Sequence, residues 1–245
     1  MNDITFVITA HCMKKEPTNS SHIIKTIQSF NLIKHFNNTK FIISFDGNKY
    51  PDLEKQYDTF KHDIRIYLNL HFDSSQYKMI YHSQNLNLVG HLRKTLSQVK
   101  TKYVFIIQQD LPFIQPFDLS SVLLDMEQHP QIKHLRFNDT INKPIPGQNT
   151  SLDKIYNKFQ IKTKHNNYIS TGIFCDRNHI STIQHYNDVI MKECPDKPNR
   201  RWYYPCWGME HFFCYKPMDD HDKFGIYMFG HYGMKPMIKH TRAGR

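Results

Sequence analysis

Between Ile4 and Asp110 the sequence alternates short β-branched apolar runs with segments whose apolar residues recur at helical spacing, and few folds accommodate that order. Ile4 to Ala10, ending in His11, reads as a buried strand. Ser20 or Ser21 can then cap a helix that places Ile23, Ile24, Ile27, Phe30, Ile33 and Phe36 on one face. Phe41 to Phe45 predicts a second strand, stopped by Asp46-Gly47-Asn48. A third strand is expected at Ile64 to Leu70. Leu88, Val89, Leu92, Leu96 and Val99 mark a helix face leading into Tyr103 to Ile107, a wholly apolar strand that ends abruptly in Gln108-Gln109-Asp110. Parallel strands need crossover connections, so this order predicts an α/β domain: a mixed, mostly parallel Rossmann-like sheet flanked by helices. Such sheets bind ligands beyond the carboxyl ends of their strands.

The second half is less regular. We expect a capped helix from Asp118 to Gln128, a strand at Ile132 to Phe137 and a loop from Asn138 to Thr150 with Pro144, Pro146 and Gly147. A strand at Tyr168 to Cys175, a helix at Asn178 to Lys192 and an aromatic segment from Trp202 to Tyr215 follow. No internal repeat or low-complexity linker divides the 245 residues, which suit one domain with a full core.

Composition removes several classes. With 39% hydrophobic and 13% aromatic residues the chain is no disordered protein, and no apolar run approaches a membrane span. MNDITFVITA carries an acid and no base, so it does not read as a secretory leader, and a cytoplasmic protein of bacterial or viral origin is expected. Cys12, Cys175, Cys194, Cys206 and Cys214 form no CxxC pair, which fits a reducing compartment. The net charge of +10 could serve nucleic acid or an acidic substrate, but the basic residues are scattered, so nucleic acid is not the expected partner.

Three acids stand where chemistry could use them. Asp46 follows the second strand, where a carboxylate could accept hydrogen bonds from a nucleoside, although an Asp-Gly turn explains it as well. Asp110 follows the apolar strand at a place where a hard cation such as Mn²⁺ or Mg²⁺ would neutralise a diphosphate; a turn before Leu111-Pro112 is the structural alternative. Glu210, in Trp207-Gly208-Met209-Glu210-His211-Phe212-Phe213, lies among rings that would raise its pKa and suit it to general-base work, or simply packs in an aromatic helix. His231 and His240 could complete a metal or diphosphate site. Arg93, Lys239 and Arg242 could pair with phosphate, and Thr9 and His11 lie at the end of the first strand.

These landmarks, in this order, resemble the GT-A type glycosyltransferases, which use nucleotide-sugar donors. In FIISFDGNK the resemblance gives Asp46 a nucleotide contact. FIIQQDLPF stands where the family has its DxD metal motif and keeps only the final acid, Asp110; Gln108 replaces the first. WGMEHFF is similar to the Trp-Gly segment that carries the catalytic base of inverting members, which nominates Glu210. A C-terminal histidine, His240 before His231, would finish the metal site. The resemblance thus implies a single catalytic domain, with a nucleotide half over residues 1–115 and an acceptor half over 116–245. It would transfer sugar from a donor, UDP-sugar first, to a glycan or protein hydroxyl. A nucleotidyltransferase of similar fold is the alternative within this architecture, and a basic nucleic-acid-binding protein the alternative outside it.

Overall fold

The computed structural model describes residues 3–142, 160–172, 174–194, 209, 213 and 220–241, Asn38 by its backbone alone. Its centre is β5 (Tyr103–Gln108) lying between β1 (Ile4–Ala10) and β10 (His179–Thr182). To one side of β1 come β3 (Phe41–Phe45) and β4 (Tyr77–Tyr81), all parallel to β5. To the other side, β10 runs antiparallel to β5 and is followed by β7 (His134–Arg136), β11 (Ile226–Phe229), β9 (Asn167–Ser170) and β8 (Gln160–Lys162). The sheet order is β4-β3-β1-β5-β10-β7-β11-β9-β8, with only β10 and β9 reversed among these strands. A separate parallel pair joins β2 (Ile33–Lys34) to β6 (Phe117–Asp118).

Both faces of the central strands are covered, which is why they lack the apolar-polar alternation of a half-exposed strand. Along β1, Ile4, Phe6, Ile8 and Ala10 point into one core and Val7 into the other; β5 divides likewise into Tyr103, Phe105 and Ile107 against Val104 and Ile106. The first core is closed by α1 (Ser21–Gln28), α2 (Glu54–His71) and α4 (Leu119–Gln128). The second is closed by α3 (Asn87–Leu96) and by a helical turn at Ile183–His185 that continues as a π-helix over Tyr186–Met191. At the start of α4, the Asp118 carboxylate accepts the Ser121 N–H at 3.2 Å, the cap expected there.

Three expectations are corrected. Ile64 to Leu70 is helical, because Tyr57, Phe60, Ile64 and Leu68 recur at helical spacing and are the residues that α2 buries. Ile66 and Leu70, which gave the segment its strand-like look, lie on the exposed side, and the third strand is Tyr77–Tyr81 instead. The first helix is shorter than its apolar pattern: it ends at Gln28, and Ile33 belongs to β2. Asn178 to Lys192 opens as strand β10 before turning helical, with the Thr182 hydroxyl accepting the His185 N–H at 3.1 Å as the cap.

The second core holds histidines that remain neutral. His134 and His179 are fully buried and their rings stack with centroids 4.2 Å apart. Burial lowers the pKa of His179 and His185 to about 4, that of His91 to about 3, and that of His134 well below the ordinary value. In the unfolded chain these groups take up protons near pH 6.5, so the unfolded state binds more protons than the folded one as pH falls from there towards 4. Stability is therefore lost as pH falls through that window. Asp46, whose pKa burial pushes up to about 6, works in the opposite direction between pH 6 and its ordinary value of 3.8, but it is one group against four. Urea denaturation should therefore show the midpoint falling steadily from pH 7 to pH 5. A flat profile would mean that the histidine cluster does not hold in solution.

Candidate functional site

Because β1, β3, β5, β7 and β11 run one way and β10 the other, the ends of the first five and the start of β10 share one edge. His11, Asp46, Gln108 to Asp110, Asp139, Asp176 to Asn178 and His231 are strung along it.

Beyond the last ladder bond the edge is held by side-chain amides. Gln109 is buried; its Oε1 accepts the His11 N–H at 3.2 Å and its Nε2 donates to the His11 carbonyl at 3.3 Å, extending the β1–β5 pairing by one rung. The Gln109 carbonyl accepts the Thr26 hydroxyl of α1 at 2.9 Å. On the other side, Asn178 accepts the Gln108 N–H at 3.0 Å and donates to the Leu111 carbonyl at 2.7 Å, clamping the turn that carries Asp110. A buried amide that meets a backbone donor and a backbone acceptor leaves that turn little freedom.

The chain returns to this turn at its far end. Ile238 bridges Phe113, Lys239 N–H donates to the Pro112 carbonyl at 3.2 Å, and Thr241 N–H donates to the Asp110 carbonyl at 3.0 Å. The Thr241 hydroxyl lies 2.6 Å from His22 Nδ1, and His22 Nε2 lies 2.7 Å from the Glu16 carboxylate, so α1 also grips this tail. Between the anchored residues 239 and 241, His240 is held with Nδ1 3.5 Å from Asp110 Oδ2. That nitrogen is buried and makes no hydrogen bond among the described residues. Two donors each about 2.1 Å from one ion stand roughly 3 to 3.5 Å apart, so the pair fits two neighbouring positions around a divalent cation. No group of three or more His, Cys, Asp or Glu suited to a metal occurs among the described residues.

The other expected site residues are placed variously. Asp46 is nearly buried, and its carboxylate accepts the N–H groups of Gly47 at 2.9 Å and Leu86 at 2.8 Å and the Asn85 amide at 3.0 Å. It thereby ties β3 to the start of α3. Gly47 is needed there, since a Cβ would fall 2.1 Å from the Gln84 backbone. Thr9 is buried, its hydroxyl 3.4 Å from the Ile107 carbonyl within the sheet; His11 and Lys239 are exposed. His231 is exposed and its Nδ1 bonds the Tyr232 carbonyl at 2.7 Å, three strands or about 14 Å along the sheet from β5, so His240 and not His231 accompanies Asp110. Arg93 does not serve the edge in this structure: α3 begins beside Asp46 and carries Arg93 about 10 Å away, where Nη2 donates to the carbonyls of Met191 at 2.7 Å and Cys194 at 2.9 Å. Glu210 and Arg242 lie outside the described residues.

Asp176, Arg177 and Asp139, which the sequence did not single out, also stand at this edge. Gln108 Nε2 donates to both the Asp176 carbonyl and its Oδ1, each at 3.2 Å, and Arg177 pairs with Asp139. The signal was hidden because Asp176 reads as the residue after a strand, whereas it precedes β10.

No protein-family model matches this sequence, and no curated protein does. Solved structures do match. TarS 1-349 of S. aureus superposes with a TM-score of 0.53 at 12% identity, over 98% of this chain and 60% of that one. The same protein in complex with UDP-GlcNAc gives 0.53 at 11% identity, over 100% and 60%. GalNAc-T7 with UDP, GalNAc and Mn²⁺ gives 0.52 at 10% identity, over 76% and 35%. The chain has the GT-A glycosyltransferase fold. It spans about three fifths of the length of TarS 1-349. In GT-A terms the mixed α/β sheet, with its parallel core flanked by helices, is the expected one. Among the described residues no helix is long and apolar enough to cross a membrane.

Proposed function

We propose that this GT-A chain is a glycosyltransferase that moves a sugar from a nucleoside-diphosphate sugar to an acceptor hydroxyl of a glycan or protein, with inversion. The observation that carries the reading is the Asp110–His240 pair, a carboxylate and an orphaned imidazole nitrogen fixed together at the end of β5. UDP is the first nucleotide to consider, because structures of similar fold hold UDP, UDP-GlcNAc, or UDP with Mn²⁺.

Residues 1–115 supply the nucleotide half: the nucleoside lies against the ends of β1 and β3, where His11 is exposed and Asp46 and Thr9 shape the floor. Asp110 and His240 would hold a divalent cation, Mn²⁺ or Mg²⁺, with Lys239 and Arg242 nearby in sequence as further positive charge. When bound, the cation neutralises charge developing on the leaving group. Residues 116–245 supply the acceptor half, in which Glu210 is the candidate base on sequence grounds. Glu210 takes the acceptor proton as the hydroxyl oxygen bonds the anomeric carbon; the bond from that carbon to phosphate breaks, and its electron pair leaves with the nucleoside diphosphate.

The test is a thermal-shift screen of UDP, GDP, dTDP, CDP and AMP, each with and without Mn²⁺. Stabilisation by one nucleoside diphosphate is expected, larger with metal, by about 2 to 3 kcal/mol at a hundredfold excess over Kd. Equal stabilisation without metal would retain the transferase and remove the cation from Asp110 and His240. No response to any nucleotide would overturn the reading.

A further inference from the structure

We infer that Asp176, held beside the Gln108-Gln109-Asp110 turn, binds hydroxyls of the donor sugar. The inference rests on the glycosyltransferase reading above and adds to it a residue and a subsite. Three observations lead to it. Gln108 ends β5, and its Nε2 is turned onto Asp176, meeting both the Oδ1 and the main-chain carbonyl at 3.2 Å. A carboxyl group therefore stands beside the end of β5 although another segment carries it.

Asp176 is also held from both sides. Asn178 Oδ1 accepts the Gln108 N–H, and Asn178 Nδ2 donates to the Leu111 carbonyl, so the turn before β10 is fastened to the turn after β5. One residue earlier, the Arg177 carbonyl receives His179 Nδ1–H, and Tyr186 O–H lies 2.8 Å from the other ring nitrogen. His179 and Tyr186 are fully buried, which sets the height of the turn from the core outward. A partly exposed carboxylate on so fixed a turn is a recognition group in the sense that its position does not depend on ligand.

The order of strands then says which part of the donor it meets. Reading along the edge from β3 through β1 and β5 to β10, one passes Asp46, His11, Asp110 and Asp176. With the nucleoside against β3 and β1 and the diphosphate at Asp110, the next strand, about 4.8 Å further on, lies under the sugar. A carboxylate accepts hydrogen bonds from vicinal hydroxyls and discriminates against analogues that lack one.

The experiment measures binding, not turnover. Calorimetric Kd values for the nucleoside diphosphate that stabilises the wild type, and for its GlcNAc, glucose and galactose conjugates, are compared between wild type, Asp176→Asn and Asp176→Ala with metal present. The expected result is an unchanged Kd for the nucleoside diphosphate, within about twofold, and a loss of about tenfold for the tightest sugar conjugate in Asp176→Ala. Asp176→Asn, which keeps an acceptor for Gln108, should fall between, and it preserves the test if the alanine variant does not fold. Equal loss for the diphosphate and its conjugate, or no loss for either, would overturn the assignment while leaving the transferase intact. If wild type itself binds no nucleoside diphosphate, the underlying reading fails first and takes the assignment with it.

Discussion

Asp110→Asn is expected to lower kcat/KM for sugar transfer by about 10²- to 10³-fold, the cost of losing one group that stabilises developing charge. The substitution is nearly isosteric, and the turn is organised through main-chain groups: Thr241 N–H donates to the Asp110 carbonyl, and the Asn178 amide bonds Gln108 N–H and the Leu111 carbonyl. The unliganded protein should therefore melt within a few degrees of wild type, while the extra stabilisation that Mn²⁺ gives to nucleotide binding should disappear. Steady-state kinetics on a metal titration checks the first expectation, and thermal shift with nucleotide, with and without Mn²⁺, checks the other two. A variant with wild-type kcat/KM at saturating metal would remove Asp110 from the chemistry, however well its geometry suits it.

Phe105→Ala should give the largest loss of stability, about 3 to 5 kcal/mol. Phe105 is fully buried at the middle of β5, and its ring meets those of Phe6, Phe113, Phe137 and Phe117 with centroids 4.9, 5.6, 5.3 and 6.4 Å away. Truncation removes the apolar surface and leaves a space that rings anchored on four separate backbone segments cannot all close. For a chain of this size the melting temperature should drop by roughly 10 °C, read by calorimetry. A drop of only a degree or two would show that the aromatic cluster rearranges around the gap.

The parallel half of the fold was legible because burial on both faces writes itself as continuous apolar runs, at Ile4 to Ala10 and Tyr103 to Ile107 alike. Ile64 to Leu70 misled for a physical reason: the apolar Ile66 and Leu70 are exposed, and only the wider spacing of Tyr57, Phe60, Ile64 and Leu68 reveals the helix. Asp110 was legible as an abrupt polar stop after an apolar strand. His240 was nameable through family resemblance, but nothing local marks it, since its place depends on backbone bonds to Pro112 and Asp110. Asp176 was illegible because its meaning comes from Gln108 on another strand. Arg93 looked like a phosphate ligand because an arginine's partner is not written in its neighbours; here the carbonyls of Met191 and Cys194 claim it.

The tail that brings His240 to Asp110 also sets when the site can exist. Thr241 and the Asp110 carbonyl it bonds are separated by 131 residues. At a synthesis rate of about 5 to 20 residues per second, roughly 7 to 26 s pass between emergence of the turn and of the segment that completes it. During that interval β1, β3, β4 and β5 can pair and bury their core, yet Asp110 has no imidazole beside it. On the proposed reading, a nascent chain that has not reached Ile238, or one cleaved before it, would lack the imidazole beside Asp110, so competence to bind metal would appear only once that strap is in place.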